Sequence, residues 1–218
     1  MSYLEKNIDY LISSGDLNNS HKELVNNSLN LISISELTGY SIDDLVHKNL
    51  AVSLEKRDIQ LIILDIDGVL TDGGMYFSEN GDQMKKYNTK DGMAIINLVR
   101  KGMQFGIISS GFKDKMVRAR AEMLGIQRIY VGRDKKMGIL KSWLEEMNIS
   151  IQQVAYVGDD INDLEIMEAC GLSACPKDAV KAIREISDII LPKKGGDACV
   201  REFLDGYIRY EDGSHLEL

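Results

Sequence analysis

This sequence predicts a doubly wound α/β fold, a parallel sheet with helices on both faces, and three observations carry the prediction. From Leu61 onward, short apolar runs alternate with stretches of helical spacing, the order of repeated strand–helix units. Leu61–Leu64, Gln104–Ser109 and Val154–Val157 each run into Asp, Ser or Gly, as buried parallel strands do where they end at a ligand crevice. Residues 1 to 55 show helical periodicity, which places a small helical segment ahead of the sheet.

In that first segment Leu4, Ile8, Leu11 and Ile12 recur at helical spacing, and Leu29, Leu31, Ile32, Ile34 and Leu37 form a second apolar stretch. Ser41, with Asp43 and Asp44 behind it, reads as a helix N-cap with acids in the first turn. Short helices are marginal alone, so the segment is expected to pack as an appendage on the main domain or on a partner.

The strand Leu61–Leu64 comes next, then a hairpin of residues 75–78 and 83–87 turning at Asn80-Gly81. Met93, Ile95, Ile96 and Val99 mark a helix that ends near Gly102. Beyond the strand Gln104–Ser109, a helix over 114–124 stops at Gly125, a residue suited to a helix C-terminus. A strand at 129–131 leads to a helix opening at Lys136, with Ile139, Leu140, Trp143, Leu144 and Met147 on one face. Val154–Val157 runs into Gly158-Asp159-Asp160, and Leu164, Ile166 and Met167 mark the next helix. A strand at 172–174, a helix at 178–186, a strand at 188–191 and a helix at 198–208 complete the pattern. The expected division is a helical extension, residues 1–57, an α/β domain, residues 58–210, and a tail, residues 211–218.

A net charge of −8 argues against a nucleic-acid or anionic-membrane surface. No apolar run reaches membrane-spanning length, and Met-Ser-Tyr-Leu-Glu-Lys at the N-terminus lacks the pattern of a secretory signal. Cys170, Cys175 and Cys199 have no Cys-x-x-Cys spacing and fit free thiols in a reducing compartment. A cytoplasmic protein is expected. His21, His47 and His215 are scattered, without metal or triad spacing.

The chemistry is expected at Asp65 and Asp67. Residues i and i+2 of a strand share a face, so both carboxylates can enter one pocket at the end of the first strand. Like charges that close are costly unless a cation or a shared proton neutralises them. A hard divalent cation such as Mg²⁺ meets that need.

Asp65-Ile-Asp-Gly-Val-Leu-Thr-Asp-Gly73 resembles the first motif of the haloacid dehalogenase superfamily, whose members are mostly Mg²⁺-dependent phosphatases with an aspartyl-phosphate intermediate. The resemblance extends to Ser110 after a strand, to Lys136, and to Gly158-Asp-Asp-Ile-Asn-Asp163, in the superfamily's order. It implies Asp65 as nucleophile, Asp67 as general acid/base, and Mg²⁺ held by Asp65, the Asp67 carbonyl and Asp159. Ser110 and the Gly111 N–H would donate to phosphate oxygens, and Lys136 would place a positive charge beside them. Ser109 is the neighbouring alternative to Ser110. Asp160 and Asp163 would orient metal-bound water or the loop, with a helix N-cap as the competing role for Asp163.

A narrower likeness follows. Met75-Tyr-Phe, Lys85-Lys-Tyr-Asn-Thr-Lys-Asp-Gly92 and Gly195-Gly196 with Arg201-Glu202 are similar to the 3-deoxy-octulosonate 8-phosphate phosphatase family. That family also includes nonulosonate 9-phosphate phosphatases and the C-terminal domain of CMP-sialate synthetases. The resemblance covers roughly residues 58 to 210. It implies a sugar-acid phosphate substrate touched by Lys90, Gly111, Phe112 and Arg201. Where octulosonate phosphatases carry Arg and nonulosonate enzymes carry Glu, this chain has Phe112, which cannot pair with a carboxylate as Arg does.

Between Asp65 and Ser110 the hairpin and one helix leave no room for a cap domain. The hairpin is apolar for an exposed ribbon, and capless relatives assemble as tetramers. A homotetramer with active sites at subunit interfaces is therefore expected. Two other readings make different demands. A non-catalytic oligomerisation module, as in the synthetase-fused domains, would lack the catalytic residues, yet Asp65, Asp67, Lys136 and Asp159 are all present. A receiver-type signalling domain would have no acid at the position of Asp67 and no hairpin after the first strand.

Overall fold

The computed structural model describes residues 3–18, 28–47, 50, 52, 58–81, 83–111 and 114–208. Phe112 and the tail lie outside the described residues. The chain divides into two compact units, Met1–Lys56 and Arg57–Leu218.

The first unit holds α1 (Tyr3–Ser14), α2 (Ser28–Thr38) and α3 (Ile42–His47). Ile8, Leu11, Leu17, Ile34, Leu45 and Leu50 make its core. Asn7 is fully buried within it. Its Nδ2 donates to the Leu45 carbonyl at 2.8 Å, and its Oδ1 accepts from the Leu50 N–H at 2.9 Å. One amide thus satisfies two backbone groups that burial would otherwise strand. Ser41 caps α3, its Oγ accepting from the Asp44 N–H at 3.1 Å.

The second unit contains β1 (Leu61–Leu64), β2 (Tyr76–Phe77), β3 (Gln83–Met84), α4 (Thr89–Arg100), β4 (Gln104–Ser109), α5 (Lys115–Leu124) and β5 (Arg128–Val131). It continues with α6 (Lys136–Met147), β6 (Val154–Val157), α7 (Leu164–Ala169), β7 (Leu172–Cys175), α8 (Lys181–Ile186), β8 (Ile189–Ile190) and α9 (Cys199–Tyr207). Six strands form one parallel sheet in the order β5-β4-β1-β6-β7-β8. The order runs outward in both directions from β1. The carboxyl ends of β1, β4 and β6 therefore meet at the switch point where such sheets bind ligands. All four residues of β1 are buried, which explains an unbroken apolar run in place of an alternating one.

Among the described residues, the stretch between Asp65 and Ser110 holds a tight turn at Ile66–Leu70, the hairpin, α4 and β4, with no cap domain. The hairpin is shorter than its sequence pattern, two residues per strand. From Lys85 onward the chain turns inward. Lys85 reaches Asp67, and the Tyr87 ring lies under the Arg120 guanidinium, 5.5 Å from it. Side chains committed inward cannot continue the ribbon. α8 likewise starts at Lys181, three residues later than its pattern, because the Val180 N–H donates to the Asp159 carbonyl at 3.0 Å and holds the preceding loop at the site. No helix of the described residues is long and apolar enough to cross a membrane.

Candidate active site

Asp65 leaves the end of β1 with its N–H donating to the Val157 carbonyl of β6 at 3.0 Å, and its side chain is buried. The chain then kinks at Asp67 and at Gly68, where φ is +95°. A Cβ at Gly68 would lie 2.0 Å from Asp159 Oδ2. Glycine is required there on both counts, and its absence of a side chain lets Asp159 approach Asp65.

Lys136, on the first turn of α6, is buried with a side chain only 3% exposed. Its Nζ lies 3.0 Å from Asp65 Oδ1 as an ion pair, and its hydrogen bond goes to Asp163 Oδ1 at 2.6 Å. Asp163 is fully buried. It also accepts from the Tyr156 hydroxyl at 2.6 Å and from the N–H groups of Asp159 and Asp160 at 3.0 and 3.2 Å. It caps the turn after β6, and it is also the second counter-charge of Lys136.

Asp65, Asp159 and Asp163 can bring one oxygen each within 4.8 Å of one another. The oxygens of Asp163 are occupied by four donors, so Asp65 and Asp159 are the carboxylates open to a cation. Asp159 Oδ1 is buried without a hydrogen-bond partner, a state that costs free energy unless something fills it. Burial, then Asp65, Asp163 and Asp160, push Asp159 up to about 8. Burial likewise pushes Asp65 up to about 7 against the pull of Lys136, with Asp163 adding to the rise. Burial would lower Lys136, but its two carboxylates outweigh that and leave it raised. Two all-oxygen ligands short of positive charge fit a hard divalent cation.

The carboxylate of Asp67 points elsewhere. It is 43% exposed and ion-pairs with Lys85 from the hairpin, with the Thr71 hydroxyl at 3.5 Å. Burial, then the nearby Asp67 charge, push Tyr87 up to about 12, so a neutral phenol borders this acid. Lys85 stood in the recognised segment but carried no assigned role. Its signal is its place just after a hairpin turn, which folds it back over the first motif.

Ser109 is buried at the end of β4. Ser110 is exposed, and its Oγ accepts from Asn162 Nδ2 at 3.1 Å. Gly111 follows, partly buried. Neither Lys90 nor Arg201 contacts the carboxylates within one chain. Lys90 is exposed on the first turn of α4, its N–H donating to Asn88 Oδ1 at 2.9 Å. Arg201 pairs with Asp205 on its own helix, and its N–H donates to Asp91 Oδ1 at 2.7 Å. The backbone of Gly195 packs on Gly68, where an added Cβ would lie 1.9 Å from the Gly68 carbonyl oxygen. The Gly196 N–H donates to the Val69 carbonyl at 2.9 Å.

A family model described as haloacid dehalogenase-like hydrolase matches residues 128–203. The chain is 38% identical over 154 residues to 3-deoxy-D-manno-octulosonate 8-phosphate phosphatase of Escherichia coli, covering 71% of this chain and 81% of that protein. It is similar to the crystal structure of 3-deoxy-D-manno-octulosonate 8-phosphate phosphatase from Moraxella catarrhalis in complex with magnesium, phosphate and KDO. There the TM-score is 0.69 at 31% identity, over 73% of this chain and 90% of that one. The enzyme of the same description from Yersinia pestis gives a TM-score of 0.66 at 34% identity, over 68% and 80%.

Proposed function

The chain belongs to the 3-deoxy-D-manno-octulosonate 8-phosphate phosphatase-like family of haloacid dehalogenase-like hydrolases and is a phosphatase, and from that premise we propose that it hydrolyses the phosphomonoester of a 2-keto-3-deoxy sugar acid, octulosonate 8-phosphate or nonulosonate 9-phosphate, through an aspartyl-phosphate on Asp65. One observation carries the reading: a buried Asp65 ion-paired to a buried Lys136 at the sheet's switch point, beside an Asp159 oxygen with no partner.

Asp65 Oδ attacks phosphorus, and the bond from phosphorus to the sugar oxygen breaks. Asp67 gives a proton to the leaving alkoxide, then takes one from the water that attacks the aspartyl-phosphate, restoring both acids. Lys136 and the Ser110 hydroxyl face the phosphoryl oxygens, where positioning and charge neutralisation do most of the catalysis. Lys85 orients the Asp67 carboxylate. Mg²⁺, held by Asp65, Asp159 and the Asp67 carbonyl, supplies further positive charge on the phosphoryl group when bound.

Phosphate release from these sugar-acid phosphates and from common hexose phosphates tests the reading. The acids are expected to be preferred, with activity lost to a chelator and restored by Mg²⁺. Equal or better turnover of hexose phosphates would count against the substrate class.

The enzyme works as a homotetramer with its sites at subunit interfaces, while Gly195 and Gly196 stay packed on Gly68 and Val69 of their own chain. Support comes from the hairpin, whose Met75 and Phe77 are 74% and 55% exposed. A two-stranded ribbon with such a face is marginal unless it is covered. Light scattering at micromolar concentration checks this; a fully active monomer on dilution would refute it. A cytoplasmic location is supported by three free thiols.

A further inference from the structure

The groups that would hold a cation come from two different loops. Asp65 and the Asp67 carbonyl belong to the end of β1 and the turn at Ile66–Leu70, and Asp159 follows the end of β6. The sheet fixes the strand ends, the last bond running from the Asp65 N–H to the Val157 carbonyl. Beyond that bond the spacing of the Asp67 carbonyl from Asp159 depends on what holds the loops themselves.

The segment Lys193–Arg201 spans both. On one side it grips the turn after β1. The Gly196 N–H donates to the Val69 carbonyl at 2.9 Å, and the Cys199 thiol donates to the same oxygen at 3.3 Å. Gly195 lies so close to Gly68 that a Cβ would come within 1.9 Å of its carbonyl oxygen. On the other side the segment grips the loop between β7 and α8. The Lys177 N–H donates to the Lys193 carbonyl at 3.0 Å, and the Gly195 N–H donates to Asp178 Oδ1 at 3.0 Å. That loop in turn holds Asp159, whose carbonyl accepts from the Val180 N–H at 3.0 Å. The far end of the segment is anchored to α4. Asn88 Nδ2 donates to the Gly196 carbonyl at 3.2 Å, and Asp91 Oδ1 accepts from the Arg201 N–H at 2.7 Å.

Asp178 is the side chain that ties the Asp159 loop to this anchored segment. An Asp shortly before a helix commonly caps it. Here α8 begins at Lys181 behind Val180, which has no side-chain oxygen to offer, and Asp178 Oδ1 goes to Gly195 instead. Asp178 is exposed and touches neither Asp65 nor Asp159, so any effect it has on the site runs through the backbone.

We propose that Asp178 is a positioning residue for the divalent cation: through Gly195 it fixes the spacing between the turn that carries the Asp67 carbonyl and the loop that holds Asp159. The proposal rests on the phosphatase reading above and adds to it a residue outside the cation's own ligands. Groups that orient metal ligands contribute about 10–100-fold in metal affinity or activity. Asp178 acts one step further out, through an intervening peptide, so the lower figure applies.

Calorimetric titration of Mg²⁺ into the metal-free parent, Asp178→Ala and Asp178→Asn tests this. Asp178→Ala is expected to raise the Kd for Mg²⁺ about tenfold. Asp178→Asn keeps an acceptor oxygen in place and is expected to stay within about twofold of the parent. The Mg²⁺ concentration for half-maximal phosphate release from an aryl phosphate should rise by the same factor in Asp178→Ala, with KM for the ester and kcat at saturating Mg²⁺ unchanged. Thermal melts without metal check that the variants fold, and Asp178→Ser, which also withdraws the acceptor, replaces the alanine variant if that one does not. A parent-like Kd in Asp178→Ala refutes the proposal. An equal rise in Asp178→Asn also overturns it, because the negative charge, and not the hydrogen bond, then acts on the cation. A parent that hydrolyses the ester but binds no Mg²⁺ overturns the positioning role and leaves the phosphatase reading standing. A parent that binds Mg²⁺ with the expected pattern yet releases phosphate from no monoester supports the positioning role and overturns the phosphatase reading.

Discussion

Asp65→Asn is expected to lower kcat by about four orders of magnitude or more, the scale seen when a covalent nucleophile is removed, while the protein stays folded. An amide keeps the shape of the carboxylate but does not attack phosphorus. The fold survives because Lys136 keeps its hydrogen bond to Asp163 at 2.6 Å. Stability moves the opposite way from activity. Burial raises Asp65 from 3.8 to about 7, so between about pH 4 and 7 the folded state binds a proton that the unfolded chain has lost. Stability then falls as pH rises through that window, and above it the ionised carboxylate is a net cost. Asn carries no such cost. The metal-free variant should melt at or above the parent Tm at pH 8 and should lose less stability between pH 4 and 7. Activity near the parent level, or a collapse in Tm at pH 8, would contradict the assignment.

Lys136→Met has the largest expected effect on stability, about 3–5 kcal/mol, because removing one partner of a buried ion pair strands the others. Here two carboxylates are stranded, Asp65 and Asp163, with side chains only 6% and 0% exposed. Trp143, the chain's single tryptophan, lies on α6, so its fluorescence during urea unfolding reports on the unit that contains Lys136. Adding Asp65→Asn to Lys136→Met should recover part of the loss, since one stranded charge becomes neutral. The recovered portion measures the coupling of the pair directly. A destabilisation below about 1 kcal/mol would mean that the lysine is not the counter-charge that burial requires.

The parts of the fold and site legible in the sequence are those written into local pattern. The run Leu61–Leu64 announced a buried central strand, and the acids and serine after the strands announced a switch-point crevice, because ligand groups follow strand ends in such sheets. Lys136 stood out because a cation opens a helix there. The parts that were not legible depend on tertiary approach. Nothing local says that Tyr156 donates to Asp163 or that Asp163 serves as cap and counter-charge together, and for Lys85 the hairpin turn before it gives the direction of the chain but not the partner, Asp67. Nor does local pattern show that Lys90 and Arg201 stay clear of the carboxylates within one chain. The hairpin strands read too long because alternation continues through Tyr87, although the side chains of Lys85 and Tyr87 are taken by other parts of the domain.

The most direct measurement is the location of the phosphoryl group during turnover. Asp67→Asn protein, incubated with Mg²⁺ and an aryl phosphate whose leaving group needs no proton and then quenched, should carry one phosphoryl group, because the variant keeps its nucleophile but lacks the base that activates water. Mass spectrometry of the proteolysed protein should find it on the peptide that contains Asp65, at Asp65 itself, and should find none in Asp65→Asn. Phosphate release by the parent with no phosphoryl group on Asp65, or with one on any other residue, would contradict the account.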